Sequence, residues 1–457
     1  MSDLEGLANL LLDSGISKKS ICKRLVHEIK TYKAHLPRAQ ADRLANAVLF
    51  EVKRTRCQAS NSVVSRLLSY CKASVSMGDM GVGSRGEGDF FVHKLISQLA
   101  SVGNGTVVLD AHALDDAGIV AYQDKLIVAA VDGTHSRLSS YPFIAGFHVA
   151  RAALRDISVK GARPVALIDD MHLADDGDVG KLFDFVAGVS TVSELSGTPL
   201  ISGSTLRVGG DMVLGDRMVS CVGAIGVIPE NRRPKAIRNI RPGDAVVMTE
   251  GSGGGTIATA ALYSGNPDVV LETQNLKFLD SCELLNSSRF ENEIHAMTDV
   301  TNGGIRGDAH AICVQAAVGM EILEDQVLSL INGRVFRMLS KLHIDPLGIS
   351  LDALLIFCRQ QSAKNIIEKL DRIGVKSKIV GSVIAKPTKP FLIENGATKP
   401  LDVRFRESPY TRLKQIVGVK PNLPYEKMKA AVLHSFNESL AKRKYVLDLI
   451  RSKKRLS

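Results

Sequence analysis

The sequence of 457 residues contains no tryptophan, and aromatic residues make up only 5% of it. Binding of single-stranded nucleic acid by aromatic stacking is therefore disfavoured. Its seven cysteines are scattered, and no two of them are separated by only two residues. This odd, dispersed set argues against a disulfide framework and against a cysteine-based zinc site, and it predicts reduced thiols.

The sequence also lacks a continuous apolar stretch of about 18 residues, the length typical of a transmembrane helix. Its first residues, MSDLEGLANLLLDSG, carry acids where a signal peptide carries positive charge. We therefore expect a cytoplasmic protein with no membrane contact. Hydrophobic residues are 45% and charged residues 23%, which is an ordinary globular composition. At roughly 100–200 residues per domain, the length predicts several domains.

The net charge of +10 is concentrated at the two ends of the chain. Residues 1–75 carry +7 and residues 401–457 carry +9, whereas the residues between them carry −6. The ends indicate either solvated faces of amphipathic helices or a surface for nucleic acid or an acidic partner. The mildly acidic middle suits a domain that holds carboxylate metal ligands.

Hydrophobic patterns divide the chain into four regions. Residues 1–75 predict a helical N-terminal extension, and 401–457 predict a basic helical tail. Between them, 78–230 and 243–395 each mix Val- and Ile-rich strands with amphipathic helices. Because strands and helices do not alternate strictly, we predict an α+β fold with two sandwich-like halves. Within the first half, the glycine-rich stretch 78–89 is predicted to be non-helical, and LDDAGIVAYQD to be a hairpin-like connection.

Two segments of the first half place carboxylates where Mg²⁺ could bind. Asp115 and Asp116 are adjacent in a turn, and adjacent carboxylates repel each other unless a cation lies between them. Mg²⁺ prefers such oxygen ligands, but an exposed Asx-turn is the alternative. Asp132 follows the apolar strand LIVAAV, and His135 lies three residues on. Asp132 is either a functional carboxylate or a cap of the strand end.

A third candidate carboxylate, Asp156, lies in a predicted helix within RDISVKGARP. Lys160 follows four residues later, so a salt bridge along the helix is the alternative to metal binding. The segment ISGSTLRVGGD is predicted to be a turn of small residues that ends at Asp211. None of these segments identifies a function on its own.

Glycine-rich turns at 83–89 (GSRGEGD) and 249–256 (TEGSGGGT) are candidate phosphate sites. Backbone N–H groups in such loops can form nests for phosphate, particularly when a helix begins after the loop. Neither turn is a Walker A motif, because no GKS or GKT closes it. A further glycine pair follows Asp299 in DVTNGG, just ahead of a predicted helix that Thr301 could cap.

The order of these segments resembles the PurM-like superfamily, which is related to aminoimidazole ribonucleotide synthetase. In the first half the similar segments are GVGSRGEGDFFVHKLI, LDDAGIV, AVDGTHS, ISGST and RDISVKGARP, of which RDISVKGARP is the most specific. In the second half they are GDAVVMTEGSGGGTIATAAL, TDVTNGGIRGDAHAI, HIDPLGIS and IVGSVI. The resemblance covers roughly 78–390 and is strongest to the hydrogenase-maturation protein HypE, with similarity to thiamine-monophosphate kinase and selenophosphate synthetase.

The resemblance implies a PurM-like two-domain fold and a homodimer in which the N-terminal halves pair into a β-barrel. It also implies ATP in the groove, with Mg²⁺ bridging its phosphates to aspartates. The implied metal ligands are Asp115, Asp116, Asp132 and Asp156, and the implied catalytic residues are Asp132 and His135. The implied nucleotide contacts are Gly83, Ser84, Gly86, Gly88, Gly203, Ser204, Thr205, Asp299, Gly303 and Gly304.

The chain departs from the family pattern at several places. Arg155 occupies the position of the family's asparagine, and Ser204 stands where Asp, Glu or His is usual. Asn302 replaces the arginine of the HypE pattern, and the ending RSKKRLS lacks the cysteine tail on which HypE carries a carbamoyl group. The glycine loop also lacks the Cys and Lys pair of selenophosphate synthetase.

We therefore expect an ATP- and Mg²⁺-dependent enzyme that activates an oxygen atom of a small molecule or partner protein by phosphorylation. Such a reaction needs positioning and charge neutralisation more than a protein nucleophile. The alternative is a non-catalytic nucleotide-binding regulator, which the changes at Ser204 and Asn302 favour. The basic ends are expected to be accessory to nucleotide binding. They either brace the dimer or bind a partner or nucleic acid, and salt dependence separates these alternatives.

Overall fold

The computed structural model of the protein describes residues 1–56, 61–100, 105–229, 231–301, 303–407 and 409–454. Within these residues the strands are β1 (Ser2–Asp3), β2 (Val107–Leu109), β3 (Gly118–Tyr122), β4 (Lys125–Gly133), β5 (Arg163–Leu173), β6 (Leu200–Arg207), β7 (Val213–Leu214), β8 (Met218–Pro229), β9 (Asp244–Thr249), β10 (Ile294–Asp299), β11 (Gly319–Leu323), β12 (Leu354–Arg359), β13 (Ser377–Ile384), β14 (Pro390–Glu394) and β15 (Ala397–Pro400). The helices are α1 (Leu4–Asp13), α2 (Lys18–Tyr32), α3 (Arg38–Thr55), α4 (Ser62–Leu68), α5 (Met77–Met80), α6 (Glu87–Ala100), α7 (Pro142–Ser158), α8 (Gly180–Ser196), α9 (Gly255–Tyr263), α10 (Lys277–Leu285), α11 (Gly304–Ala316), α12 (Glu324–Ser329), α13 (Gly333–Lys341), α14 (Ala363–Arg372), α15 (Arg412–Val417) and α16 (Tyr425–Lys454). The predicted α+β class is confirmed.

The first half of the core is built on a six-stranded sheet with the order β2-β3-β4-β8-β5-β6. Strands β5 and β6 pair parallel, and the other neighbours pair antiparallel. Helices α7 and α8 pack on one face of this sheet. On the opposite face, several apolar side chains remain exposed, among them Val131, Ile168, Leu206 and Val219. One chain therefore presents an open sheet with an uncovered apolar face.

The second half is built on a seven-stranded sheet with the order β10-β12-β9-β13-β11-β14-β15, in which β11 and β14 pair parallel. Its strand β9, with the sequence DAVVMT, is buried over its whole length. Continuous burial is expected of an apolar strand whose two faces are both covered. One face of the sheet packs on α10 and α14, and the other faces the first half.

A single hydrophobic core joins the two halves. It contains Leu154 of α7 and Val222 of β8, together with Met248 of β9 and Ile257 of α9, all fully buried. Helix α7 lies at the junction, because it packs on β4 and β8 on one side and on α9 and α10 on the other. The polar side chains of α7 are therefore held against the second half.

The N-terminal helices α1, α2 and α3 form a small unit with its own hydrophobic core. Apolar residues at helical spacing, such as Leu4 and Leu11, are buried within it. Strand β1 pairs antiparallel with β7, and the Nζ of Lys33 lies 2.6 Å from carboxylate oxygens of both Asp175 and Asp176. These contacts attach the extension to the first half.

The chain ends in an irregular segment and a long helix. Residues 401–424, here called the C-terminal strap, contain α15 and cross the glycine-rich stretch 78–89. Helix α16 follows, and its Met428 packs against Met80 and Phe405. Neither α16 nor any other helix within the described ranges is long and apolar enough to cross a membrane.

Two segments differ from their sequence predictions. The glycine-rich stretch 78–89 is not free of helix, because α5 ends at Met80 and α6 begins at Glu87. Gly88 permits this because a Cβ there would lie 1.9 Å from the carbonyl oxygen of Met80, so this glycine serves close packing. The segment predicted as a hairpin-like connection contains strand β3, which pairs with β4.

Candidate active site between the two halves

A cavity of about 320 Å³ lies where α7 and the end of β4 face the end of β10 in the second half. Its charged and imidazole-bearing lining residues are Arg85, Asp115, Asp116, Asp132, His135, His148, Arg151, Arg155, Asp156, Asp299 and Asp352. All four predicted metal ligands and both predicted catalytic residues therefore line one cavity. These charged and imidazole-bearing residues come from six separate chain segments, and they converge because the shared core holds the two halves together.

Lys160 lies between the adjacent carboxylates of Asp115 and Asp116. Its fully buried ammonium group donates to Asp115, lies 3.0 Å from Oδ2 of Asp116, and donates to the carbonyl oxygen of Met297 at 3.0 Å. Burial lowers the pKa of Lys160, but the two carboxylates raise it overall. The Ile237 N–H also donates to Oδ2 of Asp115 at 3.0 Å.

This arrangement bears on two alternatives that the sequence left open, the exposed Asx-turn at Asp115 and the salt bridge between Asp156 and Lys160. The side chain of Asp115 is only 2% exposed, so the exposed Asx-turn does not describe it. Within the described residues, Lys160, two residues beyond the end of α7, forms its ion pairs with Asp115 and Asp116 and not with Asp156. Asp116, with 14% exposure, keeps partial access to the cavity, whereas Asp115 is fully engaged by protein groups.

Two arginines of α7 bind carboxylates of the second half. Arg155 forms ion pairs with Asp299 and Asp352, and its guanidinium lies 3.4 Å from Asp156 and 4.0 Å from Asp132. It stands at the position where the family pattern has asparagine, so this chain places a positive charge at the centre of the carboxylate group. In the sequence, only this replacement of asparagine by Arg155 pointed to the residue.

Arg151, one helical turn before Arg155, binds the same Asp352. It also donates to the carbonyl oxygens of Thr273 and Asn275, at 2.7 Å each. Sequence reasoning missed Arg151 and Asp352. The four-residue spacing of the two arginines on α7 was the available signal, but it becomes informative only once a shared acidic partner is known.

The carboxylates of the cavity are crowded. Burial, followed by neighbouring carboxylates, raises the pKa of Asp299 to about 8, although Arg155 lowers it. Burial also raises the pKa of Asp132, and raises that of Asp156 well above its ordinary value. Asp352 differs: burial raises its pKa, but Arg151 and Arg155 hold it below the usual range. The group therefore holds a surplus of carboxylates over nearby cations, which a divalent cation would offset.

The glycine-rich turn 83–89 contributes through a residue that the sequence reasoning did not name. The N–H groups of Gly83 and Arg85 donate to the buried carboxylate of Asp89, at 2.8 Å each, and so hold the turn in shape. The side chain of Arg85 lines the cavity and lies 3.5 Å from Asp308. Gly83 and Ser84 line a narrow adjoining pocket.

The other two predicted glycines of this turn serve packing. A Cβ on Gly86 would lie 2.2 Å from the carbonyl oxygen of Phe405, and Gly88 approaches α5 as described above. Neither glycine lines the cavity or the adjoining pocket.

Two helices of the second half begin at the cavity. Helix α9 starts directly after Gly254, which with Gly255 and Thr256 lines the cavity. Helix α11 starts at Gly304 after Gly303, and the latter lines the adjoining pocket. The first N–H groups of a helix have no partner within it, so both starts are suited to anions.

Asp299 and Thr301 both line the cavity, but Thr301 does not cap α11 with its side chain. Instead the backbone N–H of Thr301 donates to Oδ2 of Asp308 at 2.9 Å, and this hydrogen bond joins α11 to the turn that precedes it. Asn302, where the sequence departs from the HypE pattern, lies outside the described residues.

Three predicted nucleotide contacts lie away from the cavity of their own chain. Gly203, Ser204 and Thr205 belong to β6, the exposed edge strand of the first sheet. Ser204 is paired with Asp170 of β5 in the register of the sheet. A Cβ on Gly203 would lie 1.9 Å from Oδ1 of Asp169, which accounts for the glycine.

His135 connects the first half with the second half and the strap. Its Nε2 lies 3.2 Å from Oγ1 of Thr256 and 3.3 Å from the hydroxyl of Tyr410. Burial lowers its pKa to about 4, with further contributions from Lys414 and Arg137. His135 is therefore neutral near pH 7 and accepts a hydrogen bond from a hydroxyl group. Tyr410 was missed because it lies in the region predicted as a basic tail.

The lowered pKa of His135 predicts a stability change with pH. In the unfolded chain its pKa is about 6.5, so between pH 6.5 and 4 the unfolded state binds a proton that the folded state does not. Folding stability should therefore fall as the pH falls through that range, and be unaffected by this group above it. When the pH is lowered from 6.5 to 5, the free energy of unfolding of His135→Gln should fall by about 2 kcal/mol less than that of the wild type. Urea unfolding at both pH values measures this.

His27→Gln is the matched control, because His27 is exposed on α2. It should show the same pH dependence as the wild type. Equal losses in the wild type and His135→Gln would contradict the neutral, buried histidine.

Comparison with known proteins identifies the family of this chain. The AIR synthase related protein, N-terminal domain, matches residues 114–228, and the AIR synthase related protein, C-terminal domain, matches residues 241–392. The chain belongs to the AIR synthase related family, with the PurM-like two-domain fold. The predicted resemblance is confirmed, and the strap lies beyond the matched residues.

Individual relatives agree with this assignment. The chain is 47% identical over 461 residues to uncharacterized protein MJ1416 of Methanocaldococcus jannaschii, covering 100% of both chains. It is 28% identical over 242 residues to carbamoyl dehydratase HypE of Rhodobacter capsulatus, covering 51% of this chain and 68% of that protein. A crystal structure of hydrogenase maturation protein HypE in complex with ATP matches with a TM-score of 0.52 and 17% identity, covering 76% of this chain and 96% of that chain.

Proposed function

We propose that the cavity binds ATP with Mg²⁺ and that the protein uses ATP to phosphorylate an oxygen atom of a small molecule or partner protein. The single observation that carries the proposal is the group of crowded carboxylates beside two helix starts and Arg85. Carboxylates suit Mg²⁺, whereas helix starts and arginine suit phosphate. The family assignment and the ATP complex of HypE support the same chemistry.

Mg²⁺ would be held by carboxylates that keep access to the cavity. These are Asp116, Asp132 and Asp156, whose side chains are 14%, 38% and 16% exposed. The residues fit the ion in chemistry, since burial raises the pKa values of Asp132 and Asp156 and neighbouring carboxylates raise them further, against the opposing charge of Arg155. Within the described ranges, no three acidic, histidine or cysteine side chains already surround one point. Binding therefore requires Asp132 and Asp156 to exchange contacts with Arg155, and Asp116 its contact with Lys160, for contacts with the ion.

The protein's own groups would then position the reactants. Bound Mg²⁺ supplies charge neutralisation at the phosphates. Arg85 and the first N–H groups of α9 would orient the phosphate chain. The neutral imidazole of His135, which contacts Thr256 and Tyr410, would help to position the molecule that accepts the phosphoryl group.

The second candidate is a nucleotide-binding regulator without catalysis. Arg155 favours it, because a guanidinium ion-paired with Asp299 and Asp352 occupies the centre of the carboxylate group. A protein of this kind would bind the nucleotide and pass a conformational change to a partner. Its basic ends would supply the contact with that partner or with nucleic acid.

Calorimetry with ATP in the presence and absence of Mg²⁺ tests the proposal. We expect Mg²⁺-dependent binding to the full-length wild type. Release of ADP on addition of a candidate acceptor would favour the enzyme, and binding without turnover across an acceptor series would favour the regulator. Absence of nucleotide binding would contradict both.

We also propose that the protein is a homodimer formed through the uncovered face of the first sheet. Exposed apolar side chains on that face, together with the open edge strand β6, support the proposal. Such an edge invites pairing with another chain. The same pairing would bring Ser204 of one copy toward the second copy.

Size-exclusion chromatography with light scattering should show a dimer at micromolar concentration. The double variant Leu206→Glu/Val219→Glu should be monomeric, because charges would be buried at the interface. Leu271→Glu is the control, since Leu271 is 71% exposed in the second half. A monomeric wild type would overturn the proposal.

A further inference from the structure

The guanidinium of Arg155 contacts carboxylates of two kinds. Its Nε and Nη1 atoms form ion pairs with Asp299 and Asp352 of the second half, respectively. Its Nη2 atom lies 3.4 Å from Oδ1 of Asp156 and 4.0 Å from Oδ2 of Asp132. One side chain thus joins two buried carboxylates of the second half to two of the proposed Mg²⁺ ligands.

The two sides of this guanidinium are held with different firmness. Asp299 and Asp352 are almost completely buried, and Arg151 binds Asp352 as well. Asp132 and Asp156 are more exposed, and their contacts with Nη2 are the longest that the guanidinium makes. A change of partner at Nη2 would therefore leave the anchored side of Arg155 in place.

Asp132 and Asp156 depend on Arg155 for positive charge. Among the residues that the structure describes, Arg155 is the only cation within 4.0 Å of either carboxylate, whereas Asp116 has Lys160 as its partner. Burial raises the pKa of Asp132 and of Asp156, and the charge of Arg155 opposes that rise. The guanidinium and a divalent cation would compete for these two carboxylates, because each offsets the same negative charge.

A phosphate group could accept the contact that Nη2 gives up. Arginine suits phosphate, because its planar fork can bind two oxygens at once. Arg155 lines the same cavity as Arg85 and the start of α9, which are proposed to orient the phosphates. Asparagine, the residue of the family pattern at this position, is shorter and uncharged, so the competition is a property of this chain.

We propose that Arg155 makes metal binding conditional on the nucleotide. Without nucleotide, its Nη2 side neutralises Asp132 and Asp156 and excludes Mg²⁺. When nucleotide binds, its phosphates accept Nη2, and the two carboxylates become available to the metal. The inference rests on the proposed function, since it concerns how the same site takes up Mg²⁺ and ATP. Metal and nucleotide then raise each other's affinity through one side chain.

The test is binding of Mn²⁺, a spectroscopic substitute for Mg²⁺, to the full-length protein without nucleotide, followed by the electron paramagnetic resonance signal of free Mn²⁺. Arg155→Met should bind Mn²⁺ at least about tenfold more tightly than the wild type, because a unit charge about 4 Å from the ligand oxygens is removed. Arg155→Asn should change in the same direction. Arg155→Lys keeps the charge and should stay within about threefold of the wild type. The matched control Arg163→Met changes an exposed arginine at the start of β5 and should have no effect.

A second titration tests the exchange onto phosphate. Calorimetry with a non-hydrolysable ATP analogue and Mg²⁺ should show that Arg155→Met binds the pair no more tightly than the wild type, because the lost phosphate contact offsets the easier entry of the metal. Binding of the pair about tenfold more tightly than in the wild type would overturn the inference, because Arg155 would then oppose nucleotide and metal alike. Equal Mn²⁺ affinity of the wild type and Arg155→Met would overturn it as well.

Thermal melts show whether each variant folds. If neither Arg155→Met nor Arg155→Asn folds, the wild type decides: its melting temperature should not change with Mg²⁺ alone and should rise with Mg²⁺ and the analogue together. A rise with Mg²⁺ alone would contradict the inference. If the analogue fails to bind the wild type, the proposed function fails, while the Mn²⁺ titrations still decide whether Arg155 excludes the metal.

Discussion

Asp132→Asn should weaken Mg²⁺–ATP binding by about 100-fold or more while the fold stays intact. Loss of a group that merely supports a metal ligand already costs about 10- to 100-fold, and Asp132 is proposed to be a ligand itself. Its side chain is the most exposed of the three proposed ligands and lies 4.0 Å from Arg155. The substitution removes one negative charge and keeps the shape of the side chain.

Calorimetry of Mg²⁺–ATP measures the loss, and a thermal melt checks the fold. Because burial raises the pKa of Asp132, its charged form is held against an energetic cost in the folded state. The Asn variant should therefore melt at or above the wild-type temperature. The control is Asp124→Asn, an exposed aspartate just before the other end of β4. Unchanged Mg²⁺–ATP affinity in folded Asp132→Asn would remove Asp132 from the site.

Asp352→Asn should be the most destabilising single substitution proposed for this protein, by about 3–5 kcal/mol. The Asp352 side chain is 5% exposed and binds both Arg151 and Arg155, which are themselves buried. Removing it leaves two guanidinium groups without their shared partner in a region from which water is largely excluded. The contact joins α7 to the second half, so the loss should appear in the unfolding of both halves together.

Urea unfolding followed by circular dichroism measures this effect, and Asp371→Asn on the exposed side of α14 is the control. A triple variant, Arg151→Met/Arg155→Met/Asp352→Leu, should recover most of the lost stability, because replacing a whole buried ionic group with apolar residues is often neutral. If the free energy of unfolding of Asp352→Asn fell by less than about 1 kcal/mol, the prediction would be wrong, because the contact would then be worth no more than an ordinary surface ion pair.

The sequence was sufficient for the fold class and the family, since RDISVKGARP lies in the matched N-terminal domain and TDVTNGGIRGDAHAI lies in the matched C-terminal domain. Strand ends and helix faces are local properties, so the sequence also singled out Asp132 and Asp156, and both line the cavity. It could not show that Lys160 would lie beyond the end of α7 and bind Asp115, 45 residues away, and not Asp156. Pairings of that kind depend on how α7 packs.

The contributions of the second half and the strap were harder to predict. Tyr410 reaches His135 across 275 residues of sequence, and Asp352 reaches Arg151 across 201. Neither residue carries a local pattern that distinguishes it from an ordinary exposed residue. The motif around Ser204 also could not show that this residue lies on the edge strand of the first sheet. That position depends on the pairing of β6 with β5 alone.

The shared core across α7 has a consequence for synthesis of the protein on the ribosome. Helix α7 is complete at Ser158, but Asp352, the shared partner of its Arg151 and Arg155, follows about 200 residues later. At roughly 5–20 residues per second, the nascent first half would wait about 10–40 s with that side uncovered. Until Asp352 is made, Arg151 and Arg155 would place two unpaired charges on that side, and we expect these charges to disfavour aggregation of the unfinished chain.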